Sequence, residues 1–468
     1  MVSVLNPQLS SVSNLAAASV DTKLKRGIWL YFILIIFEGA LRKWVLPELA
    51  TPLLIIRDPV ALWLVAKAWQ RGLLPPHPYL IGIVLIGVVG IFTAMLLGHG
   101  NLTVALYGAR ILLLHFPLMF VIGRLFTRDD VIKLGEVTLW IAIGMTILIT
   151  LQFYSPQSAW VNRGVGGDLA GAGFNGALGY SRPPGTFSFT TGNTLFFSFV
   201  APFVVYFWLN PGAISKWILI AATMGLIAAI PLSISRKLFF SVGVTLIFTL
   251  IAISRKPKYT GRIIGAAFGL LVAFAVLSQT DFFQTAMGAF LSRLEAANAI
   301  EGGIEGVILD RYVGNKVGAI TDAAAGQLPF WGYGLGLGTN VGSKLMTGGS
   351  GFMIAEGEWA RLLGEMGPLL GIIIIFIRLS FSAKIALACY RKLGQGDLLP
   401  WLLLSFGLLI LPQGQWAQPT SLGFSTLIGG VILASMRVPP SMGKDTRQAR
   451  GAHPGSSPSL RGEPITVV

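Results

Sequence analysis

The sequence predicts an all-α, polytopic integral membrane protein with about twelve transmembrane helices and one large extracytoplasmic loop containing short helices. Three observations predict it. Of 468 residues, 54% are hydrophobic and only 12% charged, whereas soluble domains carry about a quarter charged residues. Apolar stretches approaching or reaching the roughly 20 residues that cross a bilayer recur along nearly the whole chain. Lys and Arg gather in every second connection between those stretches, as they do in cytoplasmic loops.

The spans fall near 27–46, 51–69, 79–97, 102–125, 131–153, 185–209, 214–233, 238–253, 263–279, 352–377, 397–412 and 418–436. Lys23, Lys25 and Arg26 precede the first, Lys67 and Arg71 follow the second, and Arg124, Arg128 and Lys133 surround the end of the fourth. Lys216 follows the sixth, Arg255, Lys256, Lys258 and Arg262 the eighth, and Arg378, Lys384, Arg391 and Lys392 the tenth. This pattern places both termini in the cytoplasm. Residues 1–26 form an N-terminal tail, 27–436 the membrane domain, and 437–468 a Pro-, Gly-, Ser- and Arg-rich tail too poor in apolar residues to order. The opposite face receives short turns, a glycine-rich loop near 154–184 and the large loop near 280–351. The basic segments account for the whole formal net charge of +15. A pI near 10.1 therefore reads as an orientation signal, and no nucleic-acid partner is expected.

Cys389 has no second cysteine to pair with, and His77, His99, His115 and His453 lack metal-ligand spacing. No metal or other cofactor is expected. Residues 1–20 show no cleavable signal pattern, so the first span serves as the anchor. No inverted repeat of the transporter kind is evident.

Ionisable residues within spans are costly and mark either function or mutual neutralisation. Glu38 and Arg42 stand four apart and pair on one helix face. Arg57 and Asp58 precede Pro59, where a cation can satisfy the carbonyl that proline frees. Arg110 and His115, five apart, do not align well on an α-helix, which allows them different partners, and the sequence assigns them no role. Arg236 and Lys237, in Leu232-Ser-Ile-Ser-Arg-Lys-Leu238, break the orientation pattern by lying on the extracytoplasmic side. Either they snorkel, or they bind an anion there. Arg182 and Arg311 add cations to that face, each also readable as a solvated loop residue or the partner of a nearby Asp, and converging guanidinium forks suit a pyrophosphate.

The string Gly332-Tyr-Gly-Leu-Gly-Leu-Gly338 is either a flexible loop or a backbone nest for an anion. After it, Glu358, Arg361 and Glu365 at i, i+3 and i+4 spacing can neutralise one another. Glu356 is left over. It reads as a general base in the first turn of the tenth span, or as a helix cap.

Four features in order, Arg182-Pro-Pro-Gly-Thr-Phe187, Ser235-Arg236, Arg311 followed by Pro329-Phe-Trp-Gly-Tyr-Gly-Leu-Gly336, and Glu356 to Gly371, resemble the O-antigen ligase and polymerase superfamily, including exopolysaccharide polymerases. The resemblance covers about 180–375, and spans one to five add little to it. It implies a metal-independent, inverting glycosyltransferase without a cofactor in the bacterial inner membrane. Such an enzyme polymerises undecaprenyl-pyrophosphate-linked repeat units at the outer face, alongside a flippase and a chain-length regulator of the same pathway. It implies that Arg236 and Arg311 bind pyrophosphate with Arg182 nearby, and that Glu356 acts as base. Lys237, Glu358 and Arg361 fall to substrate binding. Glu356 and Gly357 stand where ligases carry a His-Asn pair, which favours a polymerase over a ligase. A carrier of an anionic solute is the reading from another class.

Overall fold

The computed structural model describes residues 7–74, 76–255, 260–301, 314–349 and 353–437. They form helices α1 (Pro7–Ala40), α2 (Arg57–Gln70), α3 (Pro78–Leu96), α4 (Leu102–Arg110), α5 (Phe116–Leu125) and α6 (Arg128–Tyr154). A two-stranded antiparallel hairpin follows, β1 (Phe174–Ala177) and β2 (Tyr180–Arg182), with Phe174 opposite Arg182. Then come α7 (Thr190–Leu209), α8 (Lys216–Leu232), α9 (Arg236–Arg255), α10 (Thr260–Ser278) and α11 (Asp281–Glu301). Last are α12 (Asn315–Ala324), α13 (Asn340–Thr347), α14 (Glu358–Gly394), α15 (Leu399–Ile410) and α16 (Pro419–Ser435). In the segment expected as the large loop, α11 has 21 residues, α12 has 10 and α13 has 8.

Among the described residues, six helices or helical runs are long and apolar enough to cross a membrane: α3, the run Leu102–Leu125, α6, α7, α9 and α14. Helices α8, α15 and α16 are apolar but shorter. The core lies where α5 packs on α16 and α7 on α15, filled by Phe196, Phe197, Phe199, Phe203, Phe406 and Phe424. Helices α3 and α9 instead expose large apolar side chains such as Leu85, Phe92, Ile247 and Leu250, as lipid-facing surfaces do. The expected C-terminal tail lies outside the described residues except for Arg437.

Two expected spans are built differently. The segment near 51–69 opens with 3-10 turns at Pro47–Leu49 and Pro52–Ile55, leaving α2 only 14 residues. Proline supplies no N–H, so each of these prolines sits in a first turn, where none is needed. The segment near 352–377 is not one straight helix. Gly367 takes φ 72° ahead of Pro368, and α14 folds back there. Only a reversal brings Arg378 within hydrogen-bond reach of Glu358, 2.6 Å away and 20 residues earlier.

Candidate functional site

The loop from Arg182 to Phe187 is held from beneath by α1 and α6. Gly185, at φ 63°, donates its N–H to Gln152 Oε1 at 2.7 Å. Its carbonyl accepts from Gln152 Nε2 at 3.1 Å and from the fully buried Lys43 at 2.6 Å. The Thr186 hydroxyl donates to the Ile36 carbonyl at 2.5 Å, and Arg42 donates to Ser188 Oγ at 2.9 Å. Gly39 lets this backbone approach, since a Cβ there would stand 2.4 Å from Ser188 N. The first span, which carries little of the resemblance, thus positions its first motif.

Arg236 opens α9 from a strained turn. Ile234 takes φ 46°, an unusual region for a β-branched residue that costs on the order of 1–3 kcal/mol and survives only where surroundings enforce it. Here they do. Its Cδ1 packs where a Cβ on Gly176 of β1 would be, 2.6 Å away, and the Phe153 and Tyr180 rings stack at 4.5 Å beside the hairpin. Ser235 accepts from the Leu238 N–H at 3.3 Å and shares a 3.0 Å hydrogen bond with Thr194. The strained turn is therefore locked to the hairpin that carries Arg182.

Arg182 donates from Nε to the Asn175 carbonyl at 3.2 Å, and its guanidinium carbon stands 4.7 Å from the centre of the Phe174 ring. Burial, then the positive charges of Arg293 and Arg236, pull its pKa below the usual arginine range. Arg236 of α9 and Arg293 of α11 thus lie within electrostatic reach of Arg182 of β2, and α11 packs on β1. Among the described residues neither Arg182 nor Arg293 forms an ion pair with a carboxylate. Lys237, one position along α9, is exposed, as are the Phe174, Phe189 and Phe239 rings. Arg311 lies outside the described residues.

Arg293 is the residue that sequence reasoning missed. Helix α11 buries Phe283, Ala286, Phe290 and Ala297 at alternating spacings of three and four, and Arg293 falls on that stripe. A cation at a core position of an amphipathic pattern was the available signal.

The glycine string has a different role from an open nest. Tyr333 N–H donates to the Gly364 carbonyl at 2.8 Å, Gly334 N–H to the Glu365 carbonyl at 3.0 Å, and Gly338 N–H to the Glu365 carboxylate at 2.8 Å. The anion it cradles is the chain's own. Side chains are excluded because a Cβ on Gly336 would lie 2.1 Å from the Val104 carbonyl of α4. Glu365 also accepts from Arg361 at 2.5 Å, and Arg361 reaches both oxygens of Glu358 at 3.0 Å. Arg378, expected among cytoplasmic cations, completes the set. It binds Glu358 at 2.6 Å and the Leu411 and Gly414 carbonyls at 3.1 and 2.9 Å, stacked 3.7 Å from the Trp416 ring centre. Glu358 and Arg361 are buried and taken up by this network, which leaves them no free group for a substrate.

Glu356 is not in a first turn. Helix α14 starts at Glu358 with Gly357 as N-cap, so Glu356 precedes it, exposed and without an ion pair among the described residues. Its side chain caps nothing there. Its carbonyl accepts from Gln415 at 2.7 Å, which ties its backbone to the turn after α15.

The remaining charges inside the bundle meet one another. Arg57 approaches Glu38 at 2.9 Å, with Arg42 at 3.6 Å, so its partner is a carboxylate and not a local carbonyl. Arg110 Nη1 donates to both oxygens of Asp58 at 2.8 and 2.9 Å, and His115 Nε2 stands 3.0 Å from the same carboxylate. Arg110 and His115 therefore share a partner. A π-helical turn, Ile111–His115, intervenes, and an i to i+5 repeat brings residues five apart onto one face. Tyr31 extends the chain to His115 Nδ1 at 2.9 Å.

Among the described residues, no three of His, Cys, Asp and Glu are grouped to hold a metal ion. No protein-family model matches the chain. None of the curated proteins matches it either.

Proposed function

We propose that the protein is a glycosyltransferase of the cytoplasmic membrane that polymerises lipid-pyrophosphate-linked oligosaccharide units into an O-antigen or exopolysaccharide. The observation that carries the reading is the group Arg182, Arg236 and Arg293, like charges brought together with no carboxylate on Arg182 or Arg293 among the described residues. Guanidinium forks suit phosphate oxygens. The exposed Phe174, Phe189 and Phe239 rings around them suit the lipid attached to such an anion. The superfamily resemblance supplies the chemistry. In this account about twelve helices cross the membrane, both termini are cytoplasmic, and the arginines face outward.

The acceptor hydroxyl attacks the anomeric carbon from the side opposite the carrier. An oxygen–carbon bond forms, the bond from that carbon to the pyrophosphate oxygen breaks, and the lipid pyrophosphate leaves with the electron pair. Glu356 takes the hydroxyl proton, and a single displacement inverts the configuration. The arginines stabilise charge that develops on the leaving group. Lys237 contributes at the rim.

Surface and secreted polysaccharide from a deletion strain, complemented with wild type, Arg236→Ala, Arg311→Ala or Glu356→Gln, tests this. Long chains are expected to return only with wild type. Retained long chains detached from their anchor would instead indicate a ligase, and full polymer from Glu356→Gln would eliminate that residue as base.

A second reading, a carrier of an anionic solute, rests on the buried Glu38 and Arg57 and the part-buried Arg42, Asp58 and Arg110 beside the half-length helix α2. Labelled solute accumulating in proteoliposomes, with glycan length unchanged, would favour it.

A further inference from the structure

Helices α1, α2 and α4, with the π-helical turn after α4, bring ionisable side chains into two chains of contacts. Arg42 and Arg57 meet Glu38 at 3.6 and 2.9 Å. Arg110 holds both oxygens of Asp58, His115 Nε2 stands 3.0 Å from the same carboxylate, and Tyr31 meets His115 Nδ1 at 2.9 Å. Arg57 and Asp58 are consecutive residues opening α2, so the two chains form one group.

Its charges do not cancel. Three guanidiniums face two carboxylates, and neither remaining member supplies the missing negative charge. A carboxylate only accepts, so His115 Nε2 carries hydrogen and Nδ1 accepts the phenol hydrogen of Tyr31. The ring is then neutral and the phenol keeps its proton. Protonating His115 would only enlarge the excess. Arg57 Nη1 and Arg110 Nη2 are buried atoms that donate to no group among the described residues. Arg57 is only 2% exposed, and a buried cation in excess of its counter-ions is strongly unfavourable unless an anion joins it.

The surroundings limit which anion that is. Helix α16 closes on Arg57, since a Cβ on Gly423 would stand 2.0 Å from Nη1. Tyr31 and His115 are wholly buried, and the most open side chains of the group are Asp58 and Arg42, 18% and 12% exposed. A single excess charge in so close a space suits one small monovalent ion rather than a phosphate.

We infer that this group is a binding site for a chloride-class anion, which supplies the missing negative charge to Arg57 and Arg110. Such a site does not depend on the polymerase reading, because the ion belongs to the packing of α1, α2 and α4 and not to the arginine of the hairpin.

The test is binding of radiolabelled chloride to the purified full chain in detergent, at fixed ionic strength with gluconate as the balancing anion. Wild type is expected to bind chloride saturably, to release it to bromide and nitrate but not to sulfate, and to melt at a higher temperature in chloride than in gluconate. Charge arithmetic fixes the sign for each variant. Arg110→Gln and Arg42→Gln bring the group to neutrality and should weaken chloride about tenfold or more, as loss of a charge-assisted contact does. Glu38→Gln raises the excess to two and should tighten chloride, although the protein melts lower in gluconate. A merely structural network would lose stability in these variants with no opposite changes in chloride affinity. Should Arg110→Gln fail to fold, Arg42→Gln at the open edge of the group carries the same arithmetic. No saturable chloride binding by folded wild type, equal displacement by sulfate, or weakened chloride in Glu38→Gln would overturn the inference while leaving the polymerase reading standing.

Discussion

Two groups of arginines, built from the same side chain, stand in opposite circumstances. Arg361 pairs with Glu358 and Glu365 and Arg378 with Glu358, both are nearly inaccessible, and Arg378 also donates to the Leu411 and Gly414 carbonyls. Arg182, Arg236 and Arg293 are half-buried, and the two whose surroundings are fully described are steadied by a carbonyl, an aromatic ring or an apolar stripe rather than by a carboxylate. The first group closes the reversal of α14 and holds the glycine string against it. The second is the group proposed to meet the pyrophosphate. The described residues supply a carboxylate to Arg361 and Arg378 and none to Arg182 or Arg293.

The largest effect should come from unbalancing the closed group. Arg378→Met or Glu358→Gln leaves a buried charge without its partner, a change that costs about 3–5 kcal/mol. Thermal unfolding in detergent should show a drop of many degrees, and a melting temperature near wild type would contradict the closed-network account. Opening the comparison from the other side, Arg236→Ala should leave melting within a few degrees yet lower turnover on the order of a hundredfold, as loss of a leaving-group contact does. Equal losses of stability and activity would make Arg236 structural. Gly336→Ala should cost about 1–3 kcal/mol through overpacking, because its Cβ would meet the Val104 carbonyl at 2.1 Å. A neutral result by thermal melting would mean that the glycine string can move away from α4. Lys237→Ala, exposed at the edge of the arginine group, should change turnover less than about threefold and stability by no more than about 0.5 kcal/mol. A loss matching that of Arg236 would move Lys237 into the site.

The helical, membrane-type character was legible because composition and apolar run length express it directly. So was the trio Glu358, Arg361 and Glu365, whose spacing on one helix face is local information. Arg378 was not, because its partner lies 20 residues back. Only the Gly367-Pro368 pair within an apolar run could have signalled the reversal. Arg110 and His115 misled for a related reason: a five-residue spacing is out of phase on an α-helix and in phase across a π-turn. The arginine gathering was half legible. Charge on one face pointed to Arg182 and Arg236, while Arg293 sat inside a helix pattern that is readable only when its apolar stripe is traced. The dependence of Gly185 on Lys43 and Gln152 could not be read at all, since it joins elements far apart in the chain.

The central claim is that the arginine group awaits the pyrophosphate of a lipid-linked glycan. The most direct measurement is polymer formation by the purified protein in liposomes, given undecaprenyl-pyrophosphate-linked repeat unit as the sole substrate. The account predicts a ladder of lengthening glycan with wild type and almost none with Arg236→Ala of equal melting temperature. A ladder of the same rate and length from both proteins would contradict it.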